Sequence, residues 1–450
     1  MNIKSANTLK AMETIFSHKY GLVNYASTSD MRGLSVSTNI STCMIGNTIP
    51  MYMSVVDNVA RENLGGGGAA SLSRERSRVK AFGEFIERHC GIYGINERFD
   101  NTCFECYDNL SSGEIPCVNP IEIISYADSL YADPRFPYGP YSSHSAITWV
   151  KGIDLLNKNE VWLPAQKVFM DYYYPKDEVR YVHSLSTGLA CGTGFHQAAL
   201  GAIYEVIERD SFMLTWLLKA PGTRIEMDKM QSQELRAIYN HIMKHLVGED
   251  SLHVYDISKT NGAYTALTFI RNDLPEAYGL IVSTASHTSP EVALFKSLEE
   301  LCQSYSFAYH HLCSDDERKI QHMNKDDIDT LHKHFFYYST GRHSHNIDFI
   351  ASSGETVRLS EMKDHSKNAD EECLEYVVDI FRQQGQSVYI ADITRPEIRT
   401  SGFCVIKAII PSYVDLNPLH HNFRFQKGTR LSIFQEKYGM ELNDEPHPFP

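Results

Sequence analysis

The stretch from Phe195 to Leu218 constrains the fold of this chain most, because its pattern is helical and almost entirely apolar. Gly188 and Gly192 precede it, and Thr193 stands where the N-cap of a helix belongs. The predicted buried stripe consists of Ala199, Ile203, Ile207 and Ser211.

The same helix carries charged residues on another face, with Glu205, Glu208 and Arg209 at positions i, i+3 and i+4. Charges on a largely apolar helix are costly unless they are paired or hold a metal ion. Two interpretations therefore stand side by side: a structural ion pair, or a site for a polyanion and a metal.

The E-x-x-E-R spacing occurs a second time, at Glu84, Glu87 and Arg88. This second helix has an apolar stripe of Val79, Phe82, Ile86 and Cys90. A glycine run at 65–68 lies upstream, where it either brings backbone N–H groups to a phosphate or forms a flexible surface loop. A third helix, from Pro290 to about 307, carries Glu300 and Gln303 at i and i+3. The repetition favours a shared polyanion and metal site.

These residues resemble the YcaO family of ATP-dependent enzymes that modify the backbone of peptides. The matching pieces are GLACGTGFHQAALGAIYEVIERD, the GEFIER helix, SLEELCQS, and a P-x-P-x-P ending at Pro446, Pro448 and Pro450. The resemblance covers roughly residues 60–450. One departure is Lys80, which stands where the family usually has serine, so no role is carried to it.

The resemblance implies an α/β protein of YcaO type, with duplicated α/β units around a central ATP cleft. It implies that Mg-ATP is held by Glu84, Glu87, Arg88, Glu205, Glu208, Arg209, Glu300 and Gln303. The Mg²⁺ ligands among them would be Glu84, Glu87, Glu205, Glu208 and Glu300. No G-x-x-x-x-G-K-[ST] phosphate loop occurs in the chain.

The proline ending resembles that of the azoline-forming members, where the tail is thought to reach the active site. The catalytic candidates are therefore Pro446, Pro448 and Pro450 with its carboxylate. Prolines at alternate positions fix φ at every second residue and favour a stiff, extended segment. A disordered end is the ordinary alternative for a proline-rich terminus.

The implied reaction is ATP-dependent cyclodehydration of Cys, Ser or Thr in a ribosomally made precursor peptide, giving thiazoline or oxazoline rings as in bacteriocin biosynthesis. The alternatives are thioamide formation and a non-catalytic nucleotide-binding scaffold. The implied partners are the precursor peptide and a ThiF-like protein that grips its leader, since no additional peptide-binding domain is evident. A flavin-dependent azoline dehydrogenase and a homodimeric assembly are further expectations from the resemblance.

Composition limits the alternatives. The chain has 450 residues, of which 42% are hydrophobic and 22% charged, as in a globular protein. The net charge of −14 argues against nucleic-acid binding. No signal peptide or membrane-spanning run is evident, so a cytoplasmic protein is expected. Ten dispersed cysteines suit reduced, buried thiols, and the single Cys103-x-x-Cys106 pair is a poor zinc or redox motif.

The domain prediction is an N-terminal segment, 1–64, packing on a YcaO domain, 65–450. Within it, 101–145 has an irregular composition and 147–168 a hairpin pattern. The charged, histidine-rich stretch 314–345 is predicted as a solvated helical insertion rather than a metal site.

A weak internal repeat runs helix, strand, D-I-S/T, glycine, strand. Its copies begin with helices at 234–247 and 374–384, and they carry Asp256 and Asp392 at strand ends. Duplicated α/β units explain this order most simply. The two aspartates are predicted to form turns rather than to act as ligands.

Overall fold

The computed structural model describes residues 8, 10–12, 14–16, 22–23, 25–30, 52–57, 66–93, 101–123, 126, 128–134, 136–175, 177–246, 250–273, 279–311, 320, 322–339, 341–416, 418–420, 429–439 and 441–449. The strands are β1 Tyr25–Asp30, β2 Tyr52–Asp57, β3 Gly67–Ser71, β4 Ile92–Tyr93, β5 Thr102–Cys106, β6 Ala146–Asp154, β7 Asn159–Pro164, β8 Asp171–Tyr172, β9 Leu189–Gly192, β10 Thr223–Glu226, β11 Ser251–Asp256, β12 Tyr264–Arg271, β13 Leu280–His287, β14 Thr356–Arg358, β15 Tyr389–Asp392 and β16 Cys404–Ile409.

The α-helices are α1 Arg74–Gly91, α2 Tyr107–Leu110, α3 Pro120–Ile123, α4 Asp128–Tyr131, α5 Ala165–Val168, α6 Phe195–Leu217, α7 Gln233–His245, α8 Pro290–His311, α9 Leu331–Tyr337, α10 Asp370–Gln383, α11 Pro396–Thr400 and α12 Arg430–Tyr438. Short 3₁₀ helices occupy Lys325–Asp327, Gly341–Ala351 and Leu359–Glu361. The α/β class predicted from the sequence is confirmed.

Helix α6 passes through two hydrophobic cores, and this explains why its sequence is apolar on nearly every side. Its N-terminal half, around Ile203, packs with α10 and β16. Its C-terminal half, around Trp216, belongs to a larger core with β12, β13 and α8. The N-cap is Gly194 rather than the predicted Thr193. The Thr193 N–H instead donates to Gln197 Oε1 at 2.9 Å, so a side chain inside the helix reaches back to its start.

Two large sheets lie around α6. One has the strand order β5-β6-β15-β16-β9, with β7 also paired to β6, and the other has the order β13-β12-β11-β10-β14. The predicted hairpin is confirmed as β6 and β7, although the second strand ends at Pro164 because α5 begins at Ala165. The stretch 101–145 is less irregular than predicted, since β5 pairs with β6 and three single-turn helices follow.

The internal repeat is confirmed at the level of its elements. Helix α7 precedes β11 and β12, and α10 precedes β15 and β16, each strand pair being antiparallel. Asp256 accepts the backbone N–H of Ser258 at 3.0 Å, and Asp392 accepts that of Thr394 at 3.0 Å. The two aspartates therefore form the predicted turns.

A third sheet, β1-β2-β3, supports α1 and corrects the interpretation of the glycine run as a loop. Gly67 and Gly68 belong to strand β3, while Gly65 lies outside the described residues. A Cβ on Gly67 would come within 2.1 Å of the Ala81 carbonyl oxygen. Glycine is needed here because the strand and helix backbones touch, not because the chain bends.

The prediction of a solvated insertion at 314–345 is wrong for its described second half. The side chains of His334, Phe335, Phe336 and Tyr338 are buried, and three of them are aromatic partners of the larger core. The charged residues at 314–319 dominate the sequence pattern, but they lie outside the described residues. In the described ranges, no helix is both long and apolar enough to cross a membrane.

Candidate functional site

Five glutamates from three helices come within electrostatic reach of one another. Glu84 and Glu87 lie on α1, Glu205 and Glu208 on α6, and Glu300 on α8. Burial is the main cause of the raised pKa of Glu84 and of Glu208, and the nearby Glu300 charge adds to it at both. The predicted carboxylates are therefore brought together, although their roles as metal ligands stay a prediction.

Each of four carboxylates is also held by a donor from a neighbouring strand or loop, so its position is fixed. The pairs are Glu84 Oε2 with Gly68 N at 2.7 Å, Glu87 Oε1 with Cys191 N at 2.8 Å, Glu205 Oε2 with Gly188 N at 3.2 Å, and Glu208 Oε1 with Thr284 Oγ1 at 2.8 Å. Three of these donors are backbone amides next to or within β3 and β9. Glu84 and Glu205 thus bond to or beside the strand that precedes their own helix, while Glu87 of α1 bonds to β9, the strand that precedes α6.

Burial raises the pKa of Glu87 to about 8 and that of Glu208 to about 8. A carboxyl group so placed holds its proton near neutral pH unless a cation compensates its charge. The site therefore favours a positively charged ligand at this point.

The two arginines of the repeated motif lie in different environments. Arg88 pairs with Glu84, and its side chain is 44% exposed. Arg209 is more enclosed, at 18% exposure, and lies 3.7 Å from Glu205 and 3.8 Å from Glu208. These distances are those of ion pairs rather than hydrogen bonds. The Nη1 atom of Arg209 is buried and has no hydrogen-bond partner among the described residues.

These features fit Mg-ATP. A buried guanidinium N–H without a partner suits a phosphate oxygen, which accepts from arginine in fixed geometry. Within the described ranges, no three Asp, Glu, His or Cys groups are close enough to hold a metal ion alone. Mg²⁺ is commonly held by one or two carboxylates together with phosphate oxygens and water, so the glutamates present suit an ion that arrives with a nucleotide.

Gln303 lies beside the same strand as Glu84. Its Oε1 accepts the Ala70 N–H at 3.2 Å, and its Nε2 donates to the Gly68 carbonyl at 3.3 Å. The side chain thus bonds to one edge of β3 in the manner of a neighbouring strand. This position is compatible with a nucleotide-binding role, but the contacts seen are with the protein backbone.

Sequence reasoning missed a group of cations at the other end of the carboxylate cluster. Glu299 is buried and accepts from Arg76 Nε at 2.9 Å and from Lys80 Nζ at 3.0 Å. Burial lowers the pKa of Lys296, although the charges of Glu300 and Glu208 partly oppose this. Lys296 precedes Glu300 by one helical turn, and the sequence shows this spacing without assigning Lys296 a role. The pairing of Lys80 with Glu299 joins α1 to α8 and has no local signature.

The C-terminal tail is ordered and buried up to its last described residue. Pro446, His447, Pro448 and Phe449 are all buried, and the Phe449 ring lies 4.1 Å from the Arg209 guanidinium carbon. The tail therefore reaches the edge of the glutamate cluster instead of forming a disordered end. Pro450 itself lies outside the described residues, so the position of its carboxylate stays a prediction.

Cys103 and Cys106 are free thiols on β5, and no described histidine, cysteine or acidic group forms a metal-binding cluster with others. Cys43 and Cys313 lie outside the described residues. The eight described cysteines form no disulfides.

Comparison with known proteins identifies the family to which these features belong. A sequence model of the YcaO family, described as a cyclodehydratase that binds ATP and Mg²⁺, matches residues 68–414. The predicted ATP and Mg²⁺ are therefore confirmed as the cofactors of this family. A protein of Methanothermobacter thermautotrophicus, described as uncharacterised, is 24% identical over 270 residues. That match spans 59% of this chain and 65% of the relative.

Solved structures agree on the fold. A heterocyclase in complex with substrate and cofactor superposes with a TM-score of 0.72 at 15% identity, over 99% of this chain and 57% of that one. YcaO from Methanopyrus kandleri, bound with AMPPCP and Mg²⁺, gives 0.64 at 15% identity, over 95% of both chains. The microcin synthetase McbBCD complex of E. coli with pro-MccB17 bound gives 0.58 at 18% identity, over 94% of this chain and 100% of that one. The predicted fold class is confirmed.

Proposed function

Because the chain belongs to the YcaO family, we propose that it is an azoline-forming cyclodehydratase. Its substrate is a ribosomally made precursor peptide, in which the side chain of Cys, Ser or Thr closes onto the preceding amide carbonyl. The products are a thiazoline or oxazoline ring, ADP and phosphate.

The observation that carries this proposal is the contact between the tail and the glutamate cluster. Phe449 is 4% exposed and lies over Arg209, which in turn is the enclosed arginine of the second E-x-x-E-R motif. A proline-rich tail whose Phe449 lies beside the proposed nucleotide-binding residues supports an azoline-forming member. Thioamide formation gives no reason for the P-x-P-x-P ending.

The residues of the site divide the work as follows. Attack of the thiol or hydroxyl on the amide carbon, with loss of its own proton, would make a tetrahedral alkoxide. Phosphorylation of that oxygen at the expense of ATP would release ADP and let the oxygen leave as phosphate. Arg209 would neutralise phosphate oxygens, and the glutamates of α1, α6 and α8 would hold the Mg²⁺ that accompanies the nucleotide. The ring nitrogen loses a proton as the double bond forms, and the Pro450 carboxylate is the proposed acceptor.

Arg209 also couples the nucleotide to the tail. A guanidinium over an aromatic ring is attracted by the ring face, and the interaction strengthens where water is excluded. Phe449 therefore holds Arg209 from one side, while Glu205 and Glu208 hold it from the other. The Nη1 atom, which has no hydrogen-bond partner among the described residues, could donate to a phosphate oxygen.

We propose that a separate ThiF-like protein grips the leader of the precursor peptide. The solved microcin synthetase is a complex of several chains bound to its pro-peptide. This supports the proposal that a second protein binds the peptide here. A flavin-dependent azoline dehydrogenase acting on the product and a homodimeric state remain parts of the same proposal.

The test is to incubate the protein with ATP, Mg²⁺, a Cys/Ser/Thr-rich precursor peptide and the ThiF-like partner. Mass spectrometry should show the loss of one water per ring, with one ATP consumed for each. Glu208→Gln should abolish both, because a neutral side chain holds Mg²⁺ poorly. Glu375→Gln, an exposed glutamate on α10, is the matched control and should react at the normal rate.

Other products would point elsewhere. Exchange of an amide oxygen for sulfur, with a sulfur donor present, would indicate thioamide formation. Nucleotide binding without turnover in the presence of any peptide would favour a scaffold. Equal ring formation with and without the ThiF-like partner would overturn that part of the proposal.

A further inference from the structure

We propose that the segment from Lys325 to Asn346 is a clamp for the C-terminal tail, and that Tyr338 and His334 are positioning residues for ring formation. This inference rests on the proposed function for its catalytic consequence, but not for the docking of the tail. Most of this segment belongs to the stretch 314–345, which its charged composition predicted to be a solvated insertion.

The main-chain carbonyls of three successive tail residues each lie within hydrogen-bond distance of a buried side chain of the body. The pairs are Trp216 Nε1 with Glu445 O at 2.9 Å, Tyr338 Oη with Pro446 O at 2.5 Å, and His334 Nδ1 with His447 O at 3.0 Å. Trp216, Tyr338 and His334 are 2%, 0% and 1% exposed. Two of the three come from the Lys325–Asn346 segment.

The tail sequence explains why the body of the protein binds the tail through its main-chain carbonyl groups. Pro446 and Pro448 have no N–H, so the tail cannot pair as an ordinary strand does. Its carbonyl oxygens remain available, and when buried they need donors. Side-chain donors on the clamp and on α6 meet this need.

Side-chain contacts add to the grip. The imidazole rings of His334 and His447 stack, with centroids 3.9 Å apart and planes 9° apart. Asn346 Nδ2 donates to Glu445 Oε2 at 3.0 Å, and Lys325 Nζ pairs with Asp444 and, at 3.6 Å, with Glu445. The clamp thus binds the tail by hydrogen bonds, ring stacking and charge.

The other side of the tail lies on α6. Asn443 N donates to the Leu217 carbonyl at 2.7 Å, and the Phe449 ring lies 5.0 Å from that of Phe212. The tail is therefore held between the clamp and the C-terminal half of the helix that carries Glu205, Glu208 and Arg209. A displacement of the clamp would move Phe449 relative to Arg209, and with it the end of the chain.

The decisive variant is Tyr338→Phe, which keeps the ring in the core and removes one hydrogen bond to the tail. Tyr264→Phe is the matched control, because the Tyr264 hydroxyl also donates to a backbone carbonyl, that of Lys363 at 2.9 Å, away from the tail. A second variant, Tyr338→Phe with Asn346→Ala, removes two contacts of the clamp.

Two measurements distinguish the docking of the tail from its effect on ring formation. Hydrogen–deuterium exchange of the full-length protein should be faster at amides of 443–449 in Tyr338→Phe, by about tenfold, with α1 unchanged as an internal reference. Ring formation with ATP, Mg²⁺ and precursor peptide should show a lower kcat. Any fall in the affinity for AMPPCP should be much smaller than the fall in kcat, because Glu205 and Glu208 still pair with Arg209. Tyr264→Phe should change neither.

Unchanged exchange at 443–449 in both clamp variants would overturn the clamp. Faster exchange with an unaltered kcat would overturn the positioning role. If the wild-type protein formed no rings, the proposed function would fail, while the exchange measurement would still decide on the clamp.

Discussion

Two glutamates of the site, Glu87 and Glu208, keep their protons up to a pH near 8, because burial disfavours the ionised carboxylate. The ordinary pKa of a glutamate side chain is 4.5. The contacts of Glu208 are weak for a structural ion pair. Its carboxylate lies 3.8 Å from the Arg209 guanidinium, and its hydrogen bond comes from the neutral hydroxyl of Thr284. Glu87 and Glu208 therefore suit a site in which a bound ligand supplies the positive charge that stabilises their ionised forms.

The pH dependence of stability follows from these values. Without ligand, the folded protein binds protons at Glu87 and Glu208 that the unfolded chain releases above pH 4.5. This contribution to stability is full below pH 4.5 and is lost as the pH rises through 8. Each group gives a slope of at most about −1.4 kcal/mol per pH unit in the free energy of unfolding.

The double variant Glu87→Gln, Glu208→Gln should therefore have a flatter stability profile from pH 5 to 8.5, measured by urea unfolding. Glu375→Gln serves again as the control and should follow the wild type. Saturating Mg-ATP should stabilise the wild type most at the alkaline end, since a cation favours the ionised carboxylates. A parallel wild-type and double-variant profile would show that these two groups do not titrate as stated.

At the scale of elements, the two E-x-x-E-R helices repeat one local construction. In each case a strand with glycine precedes the helix and touches its backbone. A Cβ on Gly67 would lie 2.1 Å from Ala81 O, and one on Gly192 would lie 2.7 Å from Ala198 N. The neighbouring Gly68 and Gly194 have no heavy atom within 4 Å of such a Cβ.

Gly67→Ala should therefore push β3 away from α1 and destabilise the protein by about 1–3 kcal/mol or more. Nucleotide affinity should fall with it, because Glu84 and Gln303 both bond to this strand. Gly68→Ala is the control, since it adds the same methyl group to open space. Melting curves and titration with AMPPCP measure both effects, and equal behaviour of the two variants would contradict the close contact.

The sequence predicted what is local, and missed what depends on distant partners. The long helices and the shared face of Glu205 and Glu208 follow from helical periodicity alone. The strand at Gly67 did not, because a glycine-rich strand has the composition of a loop and is specified by its contact with α1. Lys80 and Glu299 are 219 residues apart, and no spacing rule connects them.

At the scale of the whole molecule, the C-terminal tail completes the larger hydrophobic core. Phe449 belongs to that core together with Phe212, Trp216 and Tyr338. Segments from the middle of the chain and from its end therefore meet on the helix that carries the second glutamate pair. The sequence predicted a stiff tail that reaches the site, but it gave no sign that the tail supports the fold.

This placement predicts different results for shortening the tail and for extending it. Removing Phe449 and Pro450 takes a buried ring from the core and should destabilise the protein by about 3–5 kcal/mol. It also removes the ring that holds Arg209, so nucleotide affinity should fall as well. Adding a few residues after Pro450 keeps Phe449 in place, and folding and AMPPCP binding should then be nearly normal.

If the Pro450 carboxylate acts as proposed, ring formation should nevertheless fall by orders of magnitude in the extended protein, because the extension displaces the proposed proton acceptor. The same extension at the N-terminus is the control, and it leaves the carboxylate in place. Melting curves, calorimetric titration with AMPPCP and mass spectrometry of the peptide give the three readouts. An extended protein that forms rings at the normal rate would show that the tail acts through Phe449 and its packing, and that the carboxylate of Pro450 takes no part in the reaction.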